Sequence, residues 1–223
     1  MSIAEKLVTI AENQEKVYDA GKQAERIALW EAIQDGGKRT TYNNAFQGNY
    51  WTDENFTPLY PIIVKGIADD MFRGCGITDF TKEGVILDFS ACTSVRRGFE
   101  DTKNTETKFP AFDFSNVALA TDAFKNYWGK DLSLSLSEQF GGGNSFIGCL
   151  YLENLTISGT IGKWIGFKDS SMLTNESVQS IINALKDLTG ATTLNLVLHP
   201  TVGAKLTDEQ KATIGAKNWT LVY

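Results

Sequence analysis

A single histidine, His199, stands in the 223-residue chain, so any Ser-His-Asp or Cys-His arrangement has to run through it. It lies beside Pro200 at the end of an apolar stretch, and no Gly-x-Ser-x-Gly turn precedes it. The three cysteines, Cys75, Cys92 and Cys149, fall on positions that the repeat described below assigns to the interior, where a thiol stays protonated and inert. Paired carboxylates are the other route to catalysis. Asp88 and Asp113 would stand about 5 Å apart on neighbouring strands, but they would point the same way from a flat sheet instead of facing each other across a cleft. One histidine and scattered cysteines do not make zinc ligand pairs, and no Asp-x-Asp-x-Asp-Gly loop suggests calcium. The glycine-rich FGGGNS at 140–145 lacks the Gly-Lys-Ser/Thr of a phosphate loop and reads as a tight turn. Asp69-Asp70 reads as a solvated start to the turn before Phe72. These residues lead to the expectation of no enzyme, no metal and no cofactor.

What the same residues offer is a surface. Side chains alternate along a strand, so burying Leu87 and Phe89 turns Asp88 and Ser90 outward. The same alternation turns out Asp113 and Ser115, Ser135 and Ser137, Thr156 and Ser158, and finally His199. Such a small, polar, faintly acidic plane is expected to bind a protein or a cell-surface glycan. The competing expectation is a solvated sheet whose serines satisfy backbone groups at the turns. Tyr127, Trp128, Tyr151 and Trp164 sit near the corners, placed either to stack on a sugar or to pack.

The elements that would position this plane come from an internal repeat. Phenylalanines preceded by a small residue or Met recur at Phe72, Phe99, Phe124, Phe146 and Phe167, with steps of 27, 25, 22 and 21. An alternating apolar phrase runs in parallel at Leu87/Phe89, Phe112/Phe114, Leu134/Leu136, Leu155/Ile157 and Leu196/Leu198, with Ile62/Val64 ahead of them. A unit of about 20–29 residues, one short strand plus a turn, cannot bury its apolar face alone and must stack on copies of itself.

The stretch SFIGCLYLENLTI, residues 145–157, resembles the repeat of the BspA-like leucine-rich-repeat proteins, small-Phe-x-x-Cys-x-x-Leu-x-x-Ile-x-Ile. It matches at Phe146, Cys149, Leu152, Leu155 and Ile157; Met71 to Phe80 matches in part. The usual Ile-Pro ending is absent and the copies at Phe99 and Phe124 lack the cysteine. The resemblance, over roughly 60–200, implies an α/β repeat: a leucine-rich-repeat-like solenoid with a long N-terminal helix and a C-terminal α/β cap. It also implies adhesion or host recognition. The ends of the chain are similar to those of repeat proteins encoded by gut bacteria and their phages. That second likeness implies a phage or prophage virion component, tail-associated or receptor-binding. The alternatives are a bacterial surface adhesin and, behind it, a polysaccharide-active enzyme.

Four regions are expected: a helix at 1–37, an irregular connector at 38–60, the repeat at 61–169 and a capping unit at 170–223. The apolar series Ile3, Leu7, Ile10, Val17, Ala24, Ile27 and Trp30 predicts one long amphipathic helix, stopped by Gly36-Gly37. Homo-oligomerisation through residues 3–33 and a helix folded back on its own domain stand as equal alternatives. In the last region Thr174 caps a helix with the stripe Val178, Ile181, Ile182, Leu185 and Leu188, ended by Gly190. A strand follows at 193–198, then a capping box at Thr207 and Gln210, then a strand at 219–223. A net charge of −6 disfavours nucleic acid and anionic membrane as partners. No stretch is apolar enough for membrane insertion, and MSIAEKLVTIAENQEK lacks the apolar region of a cleaved signal peptide. Synthesis in the cytoplasm and residence on a virion or cell surface are expected.

Overall fold

The phenylalanine spacing becomes a column of rings. The structure is a computed structural model and describes residues 21–141 and 144–223. Phe46 stacks on Phe72 at 5.2 Å, Phe72 on Phe99 at 5.6 Å, and Phe99 on Phe124 at 5.2 Å. Phe124 stacks on Phe146 at 5.6 Å, and Phe146 on Phe167 at 4.8 Å. The column starts one step earlier than the repeat predicts, at Phe46. Backbone hydrogen bonds hold the spacing: Phe46, Phe72, Phe99 and Phe124 donate their N–H to Met71, Gly98, Ala123 and Ser145, at 2.8, 2.8, 2.9 and 2.9 Å.

The backbone is left-handed two residues before Phe46, Phe72, Phe99 and Phe124 and two residues after these four and Phe146. Asn44, Asp70, Arg97 and Asp122 have φ between 52° and 56°; Asp101 and Asn126, with Gly48, Gly74 and Gly148, take the other side. Asn, Asp and Gly tolerate that conformation at low cost, which explains why these types recur beside each phenylalanine. Arg97 is the exception in type.

Helix α1 covers described residues 21–34. Its last turns fold onto the chain's own core: Trp30 packs against Trp51, Phe46 and Phe56 at 5.5–5.6 Å. Buried Gln34 accepts from the Leu59 and Tyr60 amides at 2.8 and 3.1 Å and donates to the Tyr60 carbonyl at 2.7 Å. Residues 3–20 of the proposed oligomerisation helix lie outside the described residues, as do Gly142 and Gly143 of the glycine tract.

Strands β1 (Ile62–Ile63) and β2 (Leu87–Asp88) form one parallel sheet. Strands β3 (Phe112–Phe114), β4 (Asp131–Leu136) and β5 (Asn154–Gly159) form a second. The third joins β6 (Ile165–Phe167), β7 (Leu194–Leu198) and β8 (Trp219–Val222). Helices α2 (Asn175–Ala184), α3 (Pro200–Gly203) and α4 (Asp208–Ala216) fall among the last strands.

This corrects the expected fold class. The described residues do not form the expected leucine-rich-repeat-like solenoid; they form a mixed α/β fold with three separate short parallel sheets. The physical reason is visible at the sheet ends. Beyond β5 a helix, not a strand, takes the open edge: Leu155 and Ile157 donate their N–H groups to Ser177 and Ser180 of α2, both at 2.8 Å. Between β2 and β3 no strand ladder forms, and Phe89 sits edge-on to Phe112 and Phe114 at 5.4 and 5.5 Å.

Helix α2 also ends earlier than its apolar stripe predicts. Lys217 reaches in from the end of α4 and donates to the carbonyls of Ile182, Asn183 and Leu185 at 2.9, 3.0 and 2.7 Å, satisfying groups that the helix leaves open. Leu185 then turns extended and bridges Ile161. The box at Thr207 and Gln210 closes in both directions.

Candidate functional site

The predicted surface residues divide among the three sheets. Asp88 belongs to β2, with Ser90 two residues on, while His199 follows β7. Asp113, Ser135 and Ser158 are brought together: the register pairs Asp113 with Ser135 and Ser135 with Ser158, so they form one row across β3, β4 and β5. Ser133 pairs with Thr156 in the row beside it. Ser133 was missing from the candidates, although the alternation in DLSLSL places it on the same face as Ser135. Together these five residues line a shallow depression of about 360 Å³.

Several candidates are engaged in building the fold. Asp88 accepts the Ser90 amide and Asp113 the Ser115 amide, both at 2.9 Å, so each Asp-Phe-Ser closes an Asx turn. Hydrogen bonds from Ser90 hold the Asp88 carboxyl below its usual range. Asn116 ties the two turns by donating to the Ser90 carbonyl at 2.7 Å. Ser137 donates to the Val117 carbonyl, and Ser158 to the Leu134 carbonyl at 3.4 Å. His199 caps α3, its Nδ1 accepting the Thr201 amide at 3.2 Å.

Three hydroxyls of the depression are left. Among the described residues, the side-chain hydroxyls of Ser133, Ser135 and Thr156 have no hydrogen-bond partner. All three lie inside the depression.

The cysteines are buried in the column's surroundings. Cys92 donates to the Gly66 and Ser94 carbonyls and Cys149 to the Phe124 carbonyl, each at 3.2 Å. Burial pushes the Cys75 thiol up to about 12 and the Cys92 thiol up to about 11, and raises Cys149 as well. A thiol so rarely ionised is a poor nucleophile. Tyr127 is buried too and donates to the Asp131 carbonyl at 2.7 Å. Trp128 packs edge-on to Tyr151 at 5.6 Å.

The pair Asp69-Asp70 departs from expectation. Both side chains are largely buried and paired across to the next segment, Asp69 with Arg96 at 2.6 Å and Asp70 with Arg97 at 2.7 Å. The network continues through Arg73 and Lys125, which flank buried Glu100 at 2.9 and 3.0 Å. The signal available in the sequence was the second doublet, Arg96-Arg97, one repeat step away.

Among the described residues no group of three or more His, Cys, Asp or Glu is placed to hold a metal ion, and no helix is long and apolar enough to cross a membrane. Compared with protein-family models, curated proteins and solved structures, the chain finds no match.

Proposed function

We propose that the chain is a non-enzymatic interaction protein that docks an external partner on the outward face of β3, β4 and β5. The observation that carries this reading is the trio Ser133, Ser135 and Thr156: hydroxyls without a protein partner, side by side in one depression, with Asp113 at its rim. Ser137 and Ser158 nearby donate their hydroxyls to backbone carbonyls, whereas these three are left to exchange water for a ligand's donors and acceptors. Each such exchange is worth about 0.5–1.5 kcal/mol, so binding depends on several made at once. The depression offers hydroxyls and one carboxylate, groups that pair with sugar hydroxyls, which favours a hydroxyl-rich glycan as the partner. The setting as a phage or prophage virion component rests on the resemblance of the chain's ends. The test is binding of the fluorescently labelled full chain to a panel of intact gut bacteria and a bacterial glycan array. Ser135→Arg with Thr156→Arg, checked for an unchanged melting curve, should lose the signal. Equal binding by wild type and variant would overturn the assignment of this face.

A further inference from the structure

Trp164 is the most exposed tryptophan described, 44% accessible, while Trp30, Trp51 and Trp219 are buried. It makes no ring contact and its indole N–H has no partner among the described residues. An apolar side chain of that size left in water calls for an explanation. The residue directly precedes β6, and the pairing of Ile165 with Leu196 places it level with Asn195 on β7. Asn195 in turn pairs with Thr220 on β8, so ring, amide and hydroxyl stand in one cross-strand row. Trp164 and Asn195 also line one groove of about 310 Å³ with Thr193 and Val197. The Thr193 hydroxyl is held by Asn218 at 3.0 Å, whereas the Asn195 side chain is exposed and unengaged.

We infer that Trp164 and Asn195 form a saccharide-binding site in which the indole face stacks on a pyranose ring and the amide hydrogen-bonds to its hydroxyls. The indole offers a flat apolar platform with a polar edge, matching a sugar ring whose C–H face is apolar and whose rim is polar. Asn195 presents a donor and an acceptor together, the pairing that vicinal hydroxyls require. The groove is lined by uncharged residues and the chain carries a net charge of −6, so the ligand is a neutral sugar, not an acidic one. Its volume lies at the low end of the roughly 300–1,000 Å³ typical of small-ligand sites, fitting one terminal or internal ring of a longer chain.

This inference rests on reading the chain as a binding protein, but not on the β3–β4–β5 face. The experiment titrates cellohexaose and N-acetylchitohexaose into the full chain, followed by calorimetry and by tryptophan emission. Wild type should bind at least one of them at millimolar concentration or below, with an emission shift from the exposed indole. Trp164→Ala should weaken binding at least tenfold, Asn195→Ala several-fold, and Trp164→Tyr, which keeps a platform, should retain most of it. Ser135→Arg with Thr156→Arg serves as the control on the other face. Loss in Trp164→Ala with that control unchanged supports the inference, whatever the control does on cells and glycan arrays. Loss in the control alone places the sugar on β3–β4–β5 and overturns it while leaving the proposed function standing. Binding of neither hexasaccharide, or equal binding by Trp164→Ala, also overturns it.

Discussion

Arg97 grips Asp70 with two parallel hydrogen bonds, Nε to one carboxylate oxygen at 2.8 Å and a terminal nitrogen to the other at 2.7 Å, across 27 residues of chain. Both residues sit at positive φ beside stacked phenylalanines, so the pair clamps two successive turns together. Replacing Asp70 with Asn keeps a residue that tolerates the left-handed backbone but removes the charge. Asp70→Asn should cost about 1–2 kcal/mol, the value of a charge-assisted hydrogen bond reduced for the exposure of Arg97, measured by urea unfolding. A loss below a few tenths of a kcal/mol would show that solvent screens the clamp.

The same clamp sets an acid limit. Arg97, with help from Arg73, holds the Asp70 carboxyl below its usual range. A depressed native value means that the unfolded chain takes up the proton first as pH falls. The contribution is therefore fully present above the unfolded value near pH 4 and is lost as pH drops through the lower native value. Wild type should lose stability steeply below about pH 4, and Asp70→Asn should show a shallower acid limb. Parallel acid limbs in the two proteins would argue against it.

The thiols set an alkaline limit of opposite sign. Burial raises Cys92 to about 11 and Cys75 to about 12, so the native chain keeps protons that the unfolded chain releases near pH 8.5–9. Their stabilisation is complete below that point and fades as pH rises toward the native values. Cys149, buried with its thiol on the Phe124 carbonyl, should resist thiol reagents at pH 8 until the chain unfolds. Labelling of Cys149 at the rate of a free thiol in native protein would contradict its burial.

Glycine roles differ by position. Gly159 has φ +82°, and an added Cβ would collide with the Leu136 carbonyl oxygen on β4. Gly159→Ala should therefore cost about 1–3 kcal/mol and loosen the β4–β5 edge. Gly74 also has positive φ, but nothing lies within 4 Å of its Cβ position. Asp101 and Asn126 occupy the equivalent place beside the next two rings, so Gly74→Asn should shift the melting temperature little. Equal effects from the two substitutions would show that backbone φ, not the collision, governs both.

The ring column gives a core prediction. Phe124 stacks on Phe99 and Phe146 with interplanar angles of 6° and 7°. Phe124→Ala should cost about 3–5 kcal/mol, and Phe124→Leu less, because Leu refills part of the space. Thermal unfolding of both variants checks the order, and an inverted order would discredit the packing account.

Much was readable from local residue types. The interval between phenylalanines determined which rings meet, because equal chain lengths between tied backbone segments bring equivalent side chains into register. Alternation in DLSLSL and LTIS placed Ser135 and Thr156 outward, and Thr174, Thr207 and Gln210 announced their helix starts, since these signals depend only on neighbours a few residues away. Tertiary structure alone decided where the sheets break, which hydroxyls stay free and which acids are paired. Ser177 and Ser180 end the second sheet from 22 and 23 residues beyond the strand residues they bind, Lys217 shortens α2 from 35 residues beyond Ile182, and Arg97 turns Asp70 from a solvated acid into a buried clamp. Each outcome hangs on a hydrogen-bond partner far along the chain. A serine or lysine carries no local mark of the partner it will reach, so only the folded geometry could settle it.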